Sequence, residues 1–276
     1  MSLFVALAHG IAENGDMRAY RPNAAEAAFT QPLTEELLEC SGVSPGMRVL
    51  VLGRGVADVA LLVAERVGRR GAVIALHEDP RVVAEARRRA ADECFDRVSF
   101  LVRSLEQFEL EQPVDAVVGR FFLMHQRDPV EAIRRAAALV HEGGRILFHE
   151  WHYDSVLWAE TSDWPHLPLY RRFARWSVEG LRRRNAHADM GLRLVNACTD
   201  AGLPMPAVRT DLRTVGGSGS LGYSFFEDAV RELAARDVDI ERFAERLERE
   251  TTGAGGHVFL PLQVGVWTRV PERSRV

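Results

Sequence analysis

The chain has 276 residues, 47% of them hydrophobic and 27% charged, which is enough material for one large globular domain with an added lobe. Its net charge is −4 and every one of its 35 basic residues is arginine, so nothing predicts nucleic acid or an anionic membrane surface as a partner. The three cysteines (Cys40, Cys94, Cys198) lie far apart and show no metal spacing, which predicts reduced thiols and a cytoplasmic protein. In chain order, the apolar start, residues 1–8, lacks a basic flank and is too short to span a bilayer. It reads as a docking helix, and residues 1–40 as an N-terminal helical lid. Residues 24–38 carry helical spacing with Ala27, Leu33, Leu37 and Leu38 on one face.

Ser44-Pro45-Gly46 then launches an unbroken apolar run, Val49-Leu50-Val51-Leu52, the pattern of a strand buried on both faces. Gly53 and Gly55 permit a tight turn, and a helix follows over about Asp58–Arg66. Strand, glycine turn and helix start together form a place where backbone N–H groups can meet a polar or anionic ligand. The alternation continues with strands at 72–76, 98–102, 114–118 and 145–148. Helices are predicted at 80–91 and 129–140, the second opened by Asp128-Pro129 and broken at Glu142-Gly143-Gly144. Such alternation with short loops predicts a parallel sheet wrapped by helices.

Beyond residue 150 the pattern is less regular. Helices are expected at 167–184, 192–201, 227–235 and 240–250. Strands are expected at 207–215 and 258–269, with Pro261 and Gly265 marking an edge or bulge in the last. The arginine clusters 87–89 and 182–184 read as solvated helix faces. The implied organisation is a lid at 1–40, a core at 41–155, a helical cap insertion at 156–206, and a closing strand pair with a helical insertion at 207–276.

In this order and spacing, several short stretches carry a resemblance to a known family. They are Pro45-Gly46-Met47-Arg48-Val49-Leu50, Leu52-Gly53-Arg54-Gly55, Asp79-Pro80, Phe121-Phe122-Leu123-Met124-His125 with Asp128-Pro129, and Glu142-Gly143-Gly144-Arg145. The chain resembles the class I S-adenosylmethionine-dependent methyltransferases, in particular the ubiquinone/menaquinone-methyltransferase-like group. The resemblance implies an α/β, Rossmann-like methyltransferase fold: a seven-stranded, mostly parallel sheet with an antiparallel last strand, here with a helical cap insertion. It places the cofactor at the C-terminal strand ends, along Gly53, Arg54, Gly55, His77, Glu78, Ser104 and Arg120.

Four positions depart from the family pattern together. Val51 stands where an acidic residue usually lies, Arg54 where a small residue separates the first two glycines, Ala57 at the third glycine, and His77 at the acid that grips the ribose. One carboxylate accepts two hydrogen bonds, whereas a neutral imidazole offers one acceptor. These departures argue against S-adenosylmethionine as a working cofactor. Glu78, one residue beyond His77, is the substitution that would restore the ribose grip.

The candidate chemistry lies after the fourth and fifth strands. His149, Glu150 and His152 form a polar cluster at a strand end, and His125 follows the fourth strand; a histidine there is a natural proton carrier. The bland alternative is that His149 is a satisfied core histidine and Glu150 caps a neighbouring loop. No metal is expected, because the spacing of these residues is not that of two ligands on one helical face. Tyr20, Trp151, Tyr153, Trp164, Tyr170 and Tyr223 are the expected walls of a hydrophobic small-molecule pocket, with Tyr20 closing it from the N-terminal side.

Three functions fit. The favoured one is a small-molecule enzyme of specialised-metabolite biosynthesis that keeps the architecture but performs a cyclisation, elimination or isomerisation. The next is an active O- or C-methyltransferase with Glu78 on the ribose; the last is a non-catalytic binding protein. Aromatic side chains at the surface and a long last strand would suit a homodimer.

Overall fold

The computed structural model describes residues 24–160, 167–233 and 241–272. The expectations for the N-terminal lid, for Tyr20 and for Trp164 lie outside the described residues. Helix α1 (Ala24–Cys40) precedes strand β1 (Arg48–Gly53), and the alternation then runs α2 (Val56–Val67), β2 (Ala72–His77), α3 (Pro80–Asp92), β3 (Val98–Val102) and β4 (Val114–Arg120). Helix α4 (Pro129–Ala138), β5 (Val140–His152), α5 (Pro168–Arg183), α6 (Met190–Asp200), β6 (Ala207–Asp211) and β7 (Thr214–Val215) follow. The chain closes with α7 (Gly222–Leu233), α8 (Phe243–Gly253), β8 (Val258–Phe259) and β9 (Leu262–Arg269).

The main sheet has seven strands in the order β3-β2-β1-β4-β5-β9-β6, and only β9 runs against its neighbours. This is the Rossmann-like arrangement that the resemblance implies, with the last strand of the chain antiparallel. Its cause is visible in β1. Val49 and Val51 face the layer that contains α1, α2 and α3, while Leu50 and Leu52 face the layer with α4 and the cap. A strand covered on both faces needs apolar residues at every position, so β1 reads as an unbroken run.

Three boundaries differ from the sequence reading, each for a tertiary reason. Strand β5 begins at Val140 rather than 145. Gly143 donates to the Val270 carbonyl and Val270 to that of Gly144, so pairing carries the chain straight through the glycines. The strand expected at 207–215 is two strands, β6 on the main sheet and β7 in a separate pair with β8. The strand expected at 258–269 divides likewise into β8 and β9, at Leu260-Pro261, where proline has no N–H to give to a ladder.

Helices α5, α7 and α8 form a cap beside the strand ends. Its centre is an edge-to-face aromatic cluster: Tyr170 and Phe173 of α5 meet Phe226 of α7 at ring distances of 5.8 and 4.9 Å. At Gly180 of α5 the helices touch so closely that a Cβ would stand 2.1 Å from the Leu233 carbonyl oxygen of α7. That contact sets the C-terminal ends of α5 and α7 side by side over the sheet. Among the described residues, no helix is long and apolar enough to cross a membrane.

Candidate functional site

The C-terminal ends of β1, β2, β4 and β5 converge beneath the cap, and two polar clusters form there. Glycine turns make the convergence possible. Gly53 has a φ of +116°, and a Cβ on it would lie 2.0 Å from the Arg120 carbonyl oxygen, so only glycine lets β1 pass β4 this closely. Gly55, in the left-handed region, then turns the chain into α2.

The first cluster is dry. His149 is fully buried; its Nδ1 lies 3.1 Å from the Thr34 hydroxyl of α1 and its Nε2 3.2 Å from the Gln263 side-chain oxygen of β9. Gln263 uses its NH₂ group on the Phe29 carbonyl, so its oxygen accepts, and the His149 proton belongs on Nε2. Burial, with Arg120 nearby, pushes the His149 pKa down to about 3, so the ring is neutral. Glu150 points to the opposite face. Its carboxylate accepts from the backbone N–H groups of Phe122, Leu123 and Met124 at 2.8, 2.7 and 3.3 Å, capping the 3₁₀ turn Leu123–His125. Burial raises its pKa to about 8 while those three donors pull the other way.

Phe121, in a left-handed conformation (φ +51°) rare for an aromatic, is held there by its ring. It stacks on Trp151 at 5.1 Å and meets His149 at the same distance. His152 is also buried. Its Nδ1 has no hydrogen-bond partner, and its ring lies 6.4 Å from that of Trp158.

These placements correct the sequence reading of the strand-end cluster. His149 and Glu150 are expected there as catalytic groups, but each is enclosed and its polar atoms are spent on the fold. Tyr170 is expected to line a pocket, yet it is a core residue whose hydroxyl donates to the Phe259 carbonyl at 2.6 Å. Tyr223 is buried within the cap. Trp151 and Tyr153 are nearly enclosed as well, with rings 6.1 Å apart.

The second cluster is open. Arg54, from the glycine turn, reaches Glu232 near the end of α7, with Nη1 2.7 Å from the carboxylate. Arg184, just past α5, approaches the same carboxylate oxygen at 3.6 Å and donates to the Glu232 carbonyl. Each of the three side chains keeps about a third of its surface in solvent (32%, 38% and 38%) although protein crowds them. The site is therefore a crevice rather than a flat patch.

Arg54 lies near its middle: its charge acts on His77 at the end of β2, on His125 after β4 and on Tyr153 after β5. Crowding and the two arginines lower the His125 pKa to about 4, with Glu232 opposing, and its ring is exposed. The crowding of Glu232 would raise its pKa, but Arg54 and Arg184 together hold it below the ordinary carboxylate value. Burial raises the pKa of Tyr153, and Glu26 and Glu232 add to that.

The remaining expected cofactor residues stand at or just after the ends of β2, β3 and β4. His77 turns its Nδ1 back on its own loop, accepting from the Asp79 N–H at 3.0 Å. Glu78 is exposed, its carboxyl raised by crowding and by Glu106, and no hydrogen bond to it is seen among the described residues. Ser104 is half-buried after β3. Arg120 is buried behind the glycine turn, 3.9 Å from Asp58 and 3.4 Å from the Thr34 hydroxyl. Its carbonyl takes the Arg54 N–H. Sequence reasoning missed Glu232 and Arg184, because a charged residue at the end of an amphipathic helix carries no mark distinguishing a crevice from open solvent.

A family model described as a methyltransferase domain matches residues 43–180, half of the chain. The protein belongs to this family, within the class I S-adenosylmethionine-dependent methyltransferases. Two relatives come from Streptomyces. An uncharacterized 37.1 kDa protein in transposon TN4556 of Streptomyces fradiae is 28% identical over 62% of this chain and 48% of its own length. The aklanonic acid methyltransferase DauC of Streptomyces sp. (strain C5) is 31% identical over 44% of this chain and 55% of its own. The chain thus spans about half the length of these curated relatives. Among solved structures, the [4+2]-cyclase SpnF superposes with a TM-score of 0.53 and 16% identity, over 98% of this chain and 93% of that one, a likeness of fold.

Proposed function

We propose that the protein is a methyltransferase-fold enzyme that acts on a hydrophobic small molecule in specialised metabolism, and that its reaction is a ring closure, elimination or isomerisation rather than methyl transfer. The observation that carries this is Arg54. S-adenosylmethionine is a sulfonium cation, and the glycine turn along which it would lie puts a guanidinium in the middle of the crevice, with Arg184 behind it. Two unit charges about 5 Å apart repel by roughly 3 kcal/mol at an effective dielectric of about 20. Glu232 offsets one of the two arginines. The acceptor nitrogen of His77, at the ribose position, is already used by Asp79. These are the residues that speak against the family cofactor, whose methionine carboxylate is the one group that a guanidinium there would suit. The relatives support the substrate class: DauC is named for a metabolite of this kind, and SpnF is a cyclase on the same fold.

His125 is the group placed to carry a proton. Of the four candidates after β4 and β5 it alone is exposed, and with its pKa lowered to about 4 it stands neutral, able to accept, through the physiological range. His125→Gln is expected to abolish turnover and leave the melting temperature within about 2 °C of wild type. Titration calorimetry with S-adenosylmethionine and S-adenosylhomocysteine tests the main reading. No binding is expected, and micromolar affinity would overturn it.

One observation favours active O- or C-methylation instead. Glu78 is an exposed carboxylate one residue beyond His77, with no hydrogen bond to it among the described residues, and a ribose diol could donate to both of its oxygens. Under that reading the cofactor binds and Glu78→Ala abolishes the binding.

A further inference from the structure

At one end of the main sheet, strand β6 pairs with β9 on one side only, and four of its five residues are exposed. The hydrogen-bond pattern says which of its backbone groups face outward. Just past β9, Val270 donates to the Gly144 carbonyl of β5, so the even-numbered residues of β9 bond to β5. The odd ones, Gln263, Gly265 and Trp267, then bond to the residues opposite them in β6, which are Asp211, Arg209 and Ala207. Val208 and Thr210 are left with N–H and C=O groups turned away from the sheet, and Leu212 is next in the alternation. The Val208 carbonyl fits this pattern, since it accepts from the guanidinium of its neighbour Arg209 at 3.3 Å. Among the described residues, three of the six large apolar side chains left exposed, Met205, Val208 and Leu212, lie on or beside this strand. An edge with free backbone groups and apolar side chains beside them is a template for another strand.

We propose that this edge pairs with the same edge of a second copy of the chain, β6 against β6, antiparallel about a two-fold axis at Thr210. The side chains choose both the partner and the register. An axis at Arg209 would set two guanidiniums opposite each other and an axis at Asp211 two carboxylates, and like charges directly opposite destabilise a strand pair. An axis at Val208 would set Pro206, which has no N–H to give, opposite Thr210. The axis at Thr210 avoids these conflicts. It sets Arg209 opposite Asp211 of the second copy, twice over, and Val208 opposite Leu212 on the other face, also twice. Thr210 then stands opposite itself, and its outward N–H and C=O exchange two bonds with their counterparts. Arg209 now holds Glu36 of α1 at 2.9 Å and Asp211 holds Arg213, both pairs partly in solvent and open to exchange. Because β6 runs parallel to β1, β4 and β5, antiparallel pairing points the crevices of the two copies in opposite directions. Each stays complete within its own chain. So short an edge makes a weak dimer, with a Kd on the order of 10 µM.

Sedimentation velocity on the full chain, up to about 300 µM, tests this. Wild type is expected to pass from the mass of one chain to that of two across the range, and a chain that stays monomeric throughout overturns the proposal. Thr210→Pro removes an N–H that faces away from β9, so the fold keeps its own ladder while the central pair of the interface loses both bonds. It should weaken association by at least about tenfold, and a dimer of unchanged affinity overturns the register. The charges give a second, independent reading. Arg209→Asp leaves acids at both 209 and 211, and Asp211→Arg leaves arginines at both. Each variant should repel its own copy and remain monomeric, while an equimolar mixture of the two should associate. If circular dichroism shows that Thr210→Pro has lost its fold, this mixture decides. Association of the mixture but of neither variant by itself supports the pairing, and any other pattern overturns it.

Discussion

Two groups of polar side chains meet the C-terminal ends of β4 and β5, and they differ in whether their hydrogen bonds are closed. In the dry group, His149 is held between Thr34 and Gln263, and Glu150 takes three backbone N–H groups. In the open group, Arg54, Glu232, Arg184 and His125 meet across a crevice that solvent reaches. The residue types alone would favour the first as the reacting site, since it has a buried histidine beside a buried acid. The bonding of His149 and Glu150 says the opposite: a side chain whose every polar atom already has a protein partner has nothing left to offer a ligand. The second group is joined by contacts that a ligand can exchange.

The largest test of this contrast is Glu150→Ala. It strands three backbone N–H groups at the end of β4, two of them fully enclosed, and should destabilise the protein by about 3–5 kcal/mol in urea unfolding. A loss below about 1 kcal/mol would mean that the dry wall is not what holds the Leu123–His125 turn. His149→Ala comes next, at about 2–4 kcal/mol, from a cavity plus the lost bonds to Thr34 and Gln263. Its activity should fall only as far as its folded fraction does; loss of turnover with an unchanged melting temperature would return His149 to the catalytic group.

The same histidine shapes acid stability. Its pKa is lowered from 6.5 to about 3 in the fold, so between those values the unfolded chain takes up a proton that the native chain refuses. Stability is therefore fully present above the unfolded value and is lost as pH falls through this window, with a slope approaching about 1.4 kcal/mol per pH unit. His149→Asn should remove one proton's worth of that slope, read as unfolding free energy against pH from 7 to 4. An unchanged slope would mean that the ring is protonated in the native state.

How much of this was legible follows the range of the forces involved. The strands of the core are visible because burial on both faces writes an apolar run directly into β1, and the glycine turn because Gly53 has to pass the Arg120 carbonyl. The course of β5 through Gly143 and Gly144 was not, since it depends on pairing with a segment more than a hundred residues later. The cluster from His149 to His152 stood out by its residue types. Its role did not, because the partners that close it, Thr34 and Gln263, are 115 and 114 residues away from His149. Arg54 was legible as a departure from the family glycine turn, whereas the carboxylate it reaches, 178 residues on, was not.

The smallest effect on stability belongs to the open group, and there the two regions separate most cleanly. The Arg54–Glu232 pair is about one-third exposed on each side, so solvent screens it and both long side chains lose freedom in making it. Glu232→Gln should therefore shift unfolding by less than about 1 kcal/mol, at the resolution of a denaturant titration. A larger loss would show that the clasp is structural, pinning the cap to the glycine turn, and the crevice would then belong with the dry wall. A negligible loss leaves the carboxylate in place for a reason other than holding the fold. The cap is already fastened by its own aromatic cluster and by the close approach of α5 to α7 at Gly180. A contact that stability does not need, made by one arginine at the end of β1 and another just past α5, is then free to be exchanged for a ligand.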